Sequence, residues 1–220
     1  MRIVASSLTI EGLFPSFLNG KCECGPGIKV KLIESPARDH LGMLERGEAD
    51  LSINVINDLR VDDDLFGTYL LPQFHVIAAF ARTYDIERTE TIDIRKVARH
   101  PLLLLSKDIA TRAIFDSACR LANVRPNVLI ESTAAHGLLA LAETGQGVAI
   151  VPSILRTERW SVRTTRVTHR RQPLRISLAL LWNRRRMAAS DAEHCGEILA
   201  NHVRKTFPHG TPARGTIGCA

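Results

Sequence analysis

Three stretches of this 220-residue chain set hydroxyl side chains where an apolar run hands over to a helical one. Ser6, Ser7 and Thr9 follow the run IVA, and Ser106 follows LLLL. Ser132 and Thr133 open residues 131–152, ESTAAHGLLALAETGQGVAIVP. A helix start leaves backbone N–H groups without intrahelical partners, and such groups suit a carboxylate or another anion. A hydroxyl beside them adds a short, orienting hydrogen bond. The same residue types also cap helices, so Thr9, Ser132 and Thr133 each carry a purely structural reading as N-caps. Repetition of the pattern points to a ligand site. Lys107, directly after Ser106, is either a cation for that ligand or a solvated surface lysine.

Catalytic chemistry has little to stand on. The chain holds no GxSxG, GxxxxGK, HExxH or GxGxxG. Gly145 and Gly147 close a helical run instead of opening one, so they make no dinucleotide cradle. Cys22 and Cys24 form one close pair with no second, and His194 and His202, beside Glu193 and Glu197, lack a third ligand. We therefore expect no catalytic residue, no metal and no cofactor. Five cysteines, odd in number and irregular in spacing, fit a reducing compartment better than a disulfide scaffold. The first residues contain no continuous apolar signal-peptide core, and no run has the length of a bilayer span, which gives a cytoplasmic expectation.

Apolar content of 45% and charged content of 24% are ordinary for a globular protein, and the length suffices for one domain or two small ones. The net charge of +6 is unevenly spread. Residues 1–64 hold eleven acids against seven Lys and Arg, whereas residues 156–186 hold ten Arg against the single acid Glu158. That basic stretch is either a polyanion-facing surface or a solvated face; its Arg spacing follows strands more than a binding helix.

The elements that must carry the hydroxyls alternate. Residues 2–5 read as a strand, residues 8–18 as a helix with Pro15 either in its first turn or kinking its middle, and residues 28–32 as a strand after the turn Gly25, Pro26, Gly27. A helix over 37–46 and a strand over 49–55 complete an α/β layer with a mostly parallel sheet. Strands follow at 65–71 and 75–80. Then come a short helix at 92–98, a strand at 102–105, and a helix at 109–122 with Ile114, Ala118 and Leu121 on its apolar face. A strand at 128–130 precedes a helix striped by Ala134, Leu138, Leu141 and Ala142, and a strand at 148–151 is closed by Pro152. Strands at 162–167 and 174–182 and a helix at 188–206 end the pattern. Residues 207–220 lack any packing pattern and read as a disordered tail.

RIVASSLTIEGLFPSFL, PGIKVKLIE, MLERGEADLSI, HPLLLL and the 131–152 segment, in that order and spacing, resemble the effector-binding domain of LysR-type transcriptional regulators over residues 2–206. The resemblance implies a type 2 periplasmic-binding-protein-like α/β fold: two Rossmann-like lobes joined by two crossover segments, with an effector in the interlobe cleft. Lobe I would be residues 1–80 plus 174–206, and lobe II residues 81–173. The implied effector contacts are Ser6, Ser7 and Thr9 in the first lobe and Ser106, Ser132 and Thr133 in the second. Asn54, His75 and Val151 would wall the cleft, with Pro152 beside Val151. The effector would be a small organic or inorganic anion. The resemblance further implies a homodimer, lobe one against lobe two with the first helix and second strand at the interface, and a tetramer at full length. DNA would be contacted only through a winged helix-turn-helix domain that this sequence does not contain. Alternatives on the same fold are the solute-binding protein of a transporter and an enzyme of prephenate-dehydratase type.

Overall fold

The computed structural model describes residues 1–19, 29–57, 59–87 and 89–207. The expected turn at Gly25, Pro26 and Gly27, the pair Cys22 and Cys24, the start of the second strand at Ile28 and the tail from 208 lie outside the described residues. In chain order the first elements are β1 (Arg2–Ala5), α1 (Ser7–Asn19), β2 (Lys31–Glu34), a 3-10 turn (Ala37–Asp39), α2 (His40–Arg46), β3 (Leu51–Val55) and β4 (Phe66–Leu70). The middle of the chain contributes β5 (Phe74–Ala81), β6 (Thr91–Asp93), α3 (Ile94–Val97), β7 (Leu102–Leu105), α4 (Ala110–Leu121) and β8 (Val128–Ser132). It continues through α5 (Ala135–Glu143), β9 (Val148–Pro152), β10 (Val162–His169), β11 (Gln172–Pro173) and β12 (Arg175–Ile176). The last elements are β13 (Leu178–Asn183) and α6 (Ala189–Thr206).

The chain divides into two units, Met1–Phe74 together with the chain from Ser177 onward, and His75–Ile176. In the first unit the sheet order is β2-β1-β3-β13-β4. β1 runs parallel to β2 and β3, while β13 runs antiparallel to both β3 and β4. The last strand and helix thus rejoin the first unit, and the chain crosses between units twice. Ile3, Val4 and Ala5 are all buried, as a strand covered on both faces requires. Val4, Leu44, Ala49, Phe66, Ala179 and Leu181 form one core cluster of that unit. Arg2 and Asp50 pin the entrances of β1 and β3: Arg2 donates from its backbone N and its guanidinium to the Asp50 carboxylate, the latter at 2.5 Å, and reaches the Gly47 carbonyl at 2.7 Å.

The second unit carries the path β11-β10-β5-β9-β7-β8, with β12 on β5 and β6 on β10. β8, β7 and β9 are parallel, and β5 is antiparallel to β9 and β10. Every residue of β5 is buried. Gly145, at φ 81°, takes the left-handed turn that ends α5. Gly147 serves closeness instead: a Cβ there would lie 2.5 Å from the Pro101 carbonyl oxygen, which accepts the Val148 N–H.

Several expectations change in detail. The transitions fall at 74–75 and 176–177, earlier than residue 80 and later than residue 173, because β5 pairs β9 and β10 while Leu174 accepts from the Val76 N–H. α1 starts at Ser7, so Pro15 sits well inside it and removes one rung of its hydrogen-bond ladder. The expected helix at 92–98 begins as a strand, β6, because Ile92 pairs beside Val167. The expected strand at 174–182 breaks at Ser177 into β12 and β13, one in each unit. The apolar face of α4 is Phe115, Ala118 and Cys119, with Leu121 72% exposed. α5 buries Ala135, Leu138, Leu139 and Ala142 in place of Ala134 and Leu141.

Candidate functional site

In the second unit the sheet gathers five of the candidate residues along one edge. Leu105 is in register with Ser132, and Leu104 with Ile150, so the parallel strands β7, β8 and β9 end together. Ser106 and Ser132 are directly linked, the Ser106 N–H donating to the Ser132 carbonyl at 3.0 Å. Thr133 follows and is exposed. Val151, fully buried, pairs with Ile77 on antiparallel β5. His75, 3% exposed, lies two residues before Ile77 on β5: its N–H donates to Ser153 Oγ at 3.0 Å and its carbonyl accepts the Ser153 N–H at 2.8 Å. Lys107 is exposed beside Ser106.

Neither Ser132 nor Thr133 is the N-cap of α5. That position is Ala134, without a side-chain cap bond. Ser132 Oγ instead accepts the Ala134 N–H at 3.1 Å, a hydroxyl turn one step ahead of the helix. The hydroxyls of Thr133 and Ser106 make no hydrogen bond to any described residue. With the first turn of α5 directly behind them, they are donors and acceptors available to a small polar group.

Arg112 is the residue of this region that sequence reasoning missed. It sits in the first turn of α4 at 5% exposure. Its Nε donates to both Asp116 carboxylate oxygens at 2.9 Å, and its Nη1 to the Leu105 carbonyl and to Glu131 Oε2, each at 2.8 Å. Burial works against its charge, but the bonds to Glu131 and Asp116 outweigh it, so its pKa is raised. An Arg inside a helical run reads in sequence as a solvated residue, and only the register of β7 against β8 reveals what it holds.

The first unit has a comparable edge. Ala5 is in register with Ile53, which sets Ser6 alongside Asn54 at the exits of β1 and β3. Ser6 Oγ lies 3.1 Å from Thr9 Oγ1, and the Ser6 carbonyl accepts the Ile10 N–H at 2.9 Å. Thr9, 5% exposed, is therefore a first-turn residue and not the cap, since α1 starts at Ser7. Ser7 Oγ donates to Glu11 at 3.2 Å. Asn54, 4% exposed, donates from Nδ2 to the Ala37 carbonyl at 3.2 Å, which holds the 3-10 turn against β3. Nearby His40 is fully buried between the Ser35 carbonyl (3.0 Å from Nε2) and Ser52 Oγ (3.1 Å from Nδ1). A carbonyl only accepts, so Nε2 carries the proton and Nδ1 accepts from Ser52. Burial lowers the His40 pKa despite the Ser35 bond and the Asp39 charge, making it a neutral structural group.

Among the described residues no group of three His, Cys, Asp or Glu is placed to hold a metal ion. On α6, His202 faces inward to Ser16 Oγ at 2.9 Å and packs edge-on against Phe17. No helix of the described residues is long and apolar enough to cross a membrane.

The family model described as LysR substrate binding domain matches residues 1–204. An uncharacterized HTH-type transcriptional regulator, YybE of Bacillus subtilis (strain 168), is 23% identical over 198 residues, covering 86% of this chain and 63% of that protein. The chain thus spans less than two thirds of the curated relative it matches. Among solved structures, the effector binding domain of QuiR in complex with shikimate aligns with a TM-score of 0.73 at 13% identity, over 94% of this chain and 98% of that one. An OxyR mutant of Corynebacterium glutamicum, with H2O2 bound, aligns with a TM-score of 0.80 at 15% identity, over 94% of this chain and 66% of that one. At these identities the structural likeness establishes the two-lobed, type 2 periplasmic-binding-protein-like fold.

Proposed function

Because the chain belongs to the LysR substrate-binding domain family, we propose that it is the effector-sensing and oligomerisation module of a cytoplasmic transcriptional regulator, and that its effector is a small anion. The observation that carries the reading is the alignment of Ser106, Ser132 and Thr133 at one sheet edge ahead of α5, two of them with hydroxyls that bond no described residue. Hydroxyls backed by a helix start bind a carboxylate or an inorganic oxyanion well and a cation poorly. Ser6, Ser7 and Thr9 at the edge of the first unit are proposed to bind the same effector, with Asn54, His75 and Val151 shaping its surroundings. An effector held by both units favours one arrangement of them over another, and that differential affinity is what a regulator transmits. The module is proposed to dimerise, and to reach DNA through a domain outside this chain within a tetrameric full-length protein. The Bacillus subtilis relative is an HTH-type transcriptional regulator, and the module is read as a binding domain and not an enzyme.

A thermal-shift screen of small organic anions, with shikimate among them because the QuiR domain binds it, identifies a binder for calorimetry. Thr133→Val keeps the shape and removes the hydroxyl, and should weaken the binder by about 1–2 kcal/mol. Ser6→Ala should weaken the same binder. Unchanged affinity in both variants removes the hydroxyl edges from the site.

A further inference from the structure

We infer that Arg112 is a positioning residue for the effector edge of the second unit, fixing Ser106 and Ser132 relative to each other; the inference rests on the proposed site. The two residues that Arg112 Nη1 grips are the immediate predecessors of the two serines. Nη1 holds the Leu105 carbonyl, one residue before Ser106, and Glu131, one residue before Ser132. Leu105 and Ser132 are also register partners across β7 and β8. One nitrogen therefore clamps both strand ends at the point where they leave the sheet.

The clamp has a rigid base. Nε donates to both oxygens of Asp116, one helical turn further along α4, so the guanidinium plane is fixed by its own helix. Arg112 is 5% exposed, whereas the side chains of Asp116 and Glu131 are 26% and 41% exposed. The positive group is buried and the carboxylates reach outward, an arrangement that keeps all three partners on it at once. A planar guanidinium can serve a carbonyl and two carboxylates together, and a lysine ammonium on a flexible stem cannot hold them in one fixed geometry. β8 is an outer strand of its sheet, so β7 is its single strand neighbour on that path and the clamp adds a second hold beside Ser132.

The consequence is local. Removing the clamp should loosen the Ser106 N–H to Ser132 carbonyl bond and the Ala134 N–H to Ser132 Oγ bond, while other strand exits keep theirs. Amide hydrogen exchange on the ligand-free chain reads this directly. Arg112→Met should speed exchange at Ser106 and Ala134 by roughly tenfold or more. Exchange at Ser153, which donates to His75 in the same unit, and at Ser35, which donates to Ala5 in the other, should stay within about twofold. Arg112→Lys should recover less than half of the lost protection. If Arg112→Met does not fold, Glu131→Leu removes the acceptor and so only the hold on β8, and should speed exchange at Ala134 more than at Ser153. Exchange at Ser106 and Ala134 that matches the wild type, or that rises in step with Ser153, overturns the inference. Because no ligand enters the measurement, its outcome is separate from that of the Thr133→Val titration, which tests the site itself.

Discussion

A hydroxyl and a guanidinium leave different traces in a sequence. The places of Ser6, Ser106, Ser132 and Thr133 at strand exits were legible because strand exits into helices are short, punctuated and rich in small polar residues. Arg112 was not, because its role depends on the register of two strands separated from it by many residues. His40 was equally hidden: nothing in RDHLGM signals that its ring ties α2 to β3 through Ser52 and to Ser35. That burial has a measurable consequence. The folded state refuses a proton at His40 that the unfolded chain accepts near its ordinary pKa of about 6.5. With the folded pKa lowered, the stabilisation is complete above pH 6.5 and is lost as pH falls below it, at most about 1.4 kcal/mol per pH unit. Urea unfolding of the wild type should therefore show a falling midpoint between pH 7.5 and 5.5. In His40→Gln, whose amide can still donate to the Ser35 carbonyl, the midpoint should fall less steeply with pH than in the wild type. An equal slope in both would assign the pH dependence to other groups.

At the scale of elements, the order of strands and helices was readable and their facing was not. Gly and Pro mark where an element stops, but a helix face is decided by what packs on it. α4 turned its Phe115, Ala118 and Cys119 stripe inward although Leu121 is the more apolar choice by composition. The break at Ser177 was invisible because Leu174, Ile176, Leu178 and Leu180 alternate without interruption across it. The turn between β10 and β11 is a two-residue hairpin, since His169 pairs with Gln172. Arg170 and Arg171 both adopt positive φ, 51° and 65°, as a type I′ turn demands. That conformation is unfavourable for arginine and easy for Asn-Gly. Replacing the pair with Arg170→Asn and Arg171→Gly should raise stability by about 1 kcal/mol. The gain should appear as a higher urea midpoint at constant slope. A loss of stability would mean that the arginine side chains contribute more than their backbone strain costs.

For the molecule as a whole, the surface raises the question of what it meets. Among the described residues the exposed large apolar side chains are Leu18, Leu121, Val128 and Leu129. Leu18 lies on α1, the helix that the sequence reading assigned to a dimer interface. The other three flank the connection from α4 to β8, and β8 is an outer strand of the second unit's sheet. An outer strand with apolar side chains in solvent invites a partner, and proteins that lack one usually guard such an edge with charge. β8 opens with the uncharged run VLI at residues 128–130 and carries one charge, Glu131, which Arg112 engages, whereas β2, an outer strand of the first unit, carries Lys31 and Glu34 at its two ends. A second copy of the chain bringing Leu18 to this face would satisfy both surfaces, consistent with a side-by-side dimer of one unit against the other. In a two-fold dimer each contact occurs twice, so one substitution is felt twice. Leu129→Glu removes the apolar contact and places a charge there, and should weaken self-association by on the order of a hundredfold. Sedimentation velocity across a concentration series should show the dimer boundary moving to higher concentration, with Leu18→Glu producing a similar shift. A Leu129→Glu chain that sediments as the wild type does would place the interface elsewhere and leave the exposed face of β8 for a different partner.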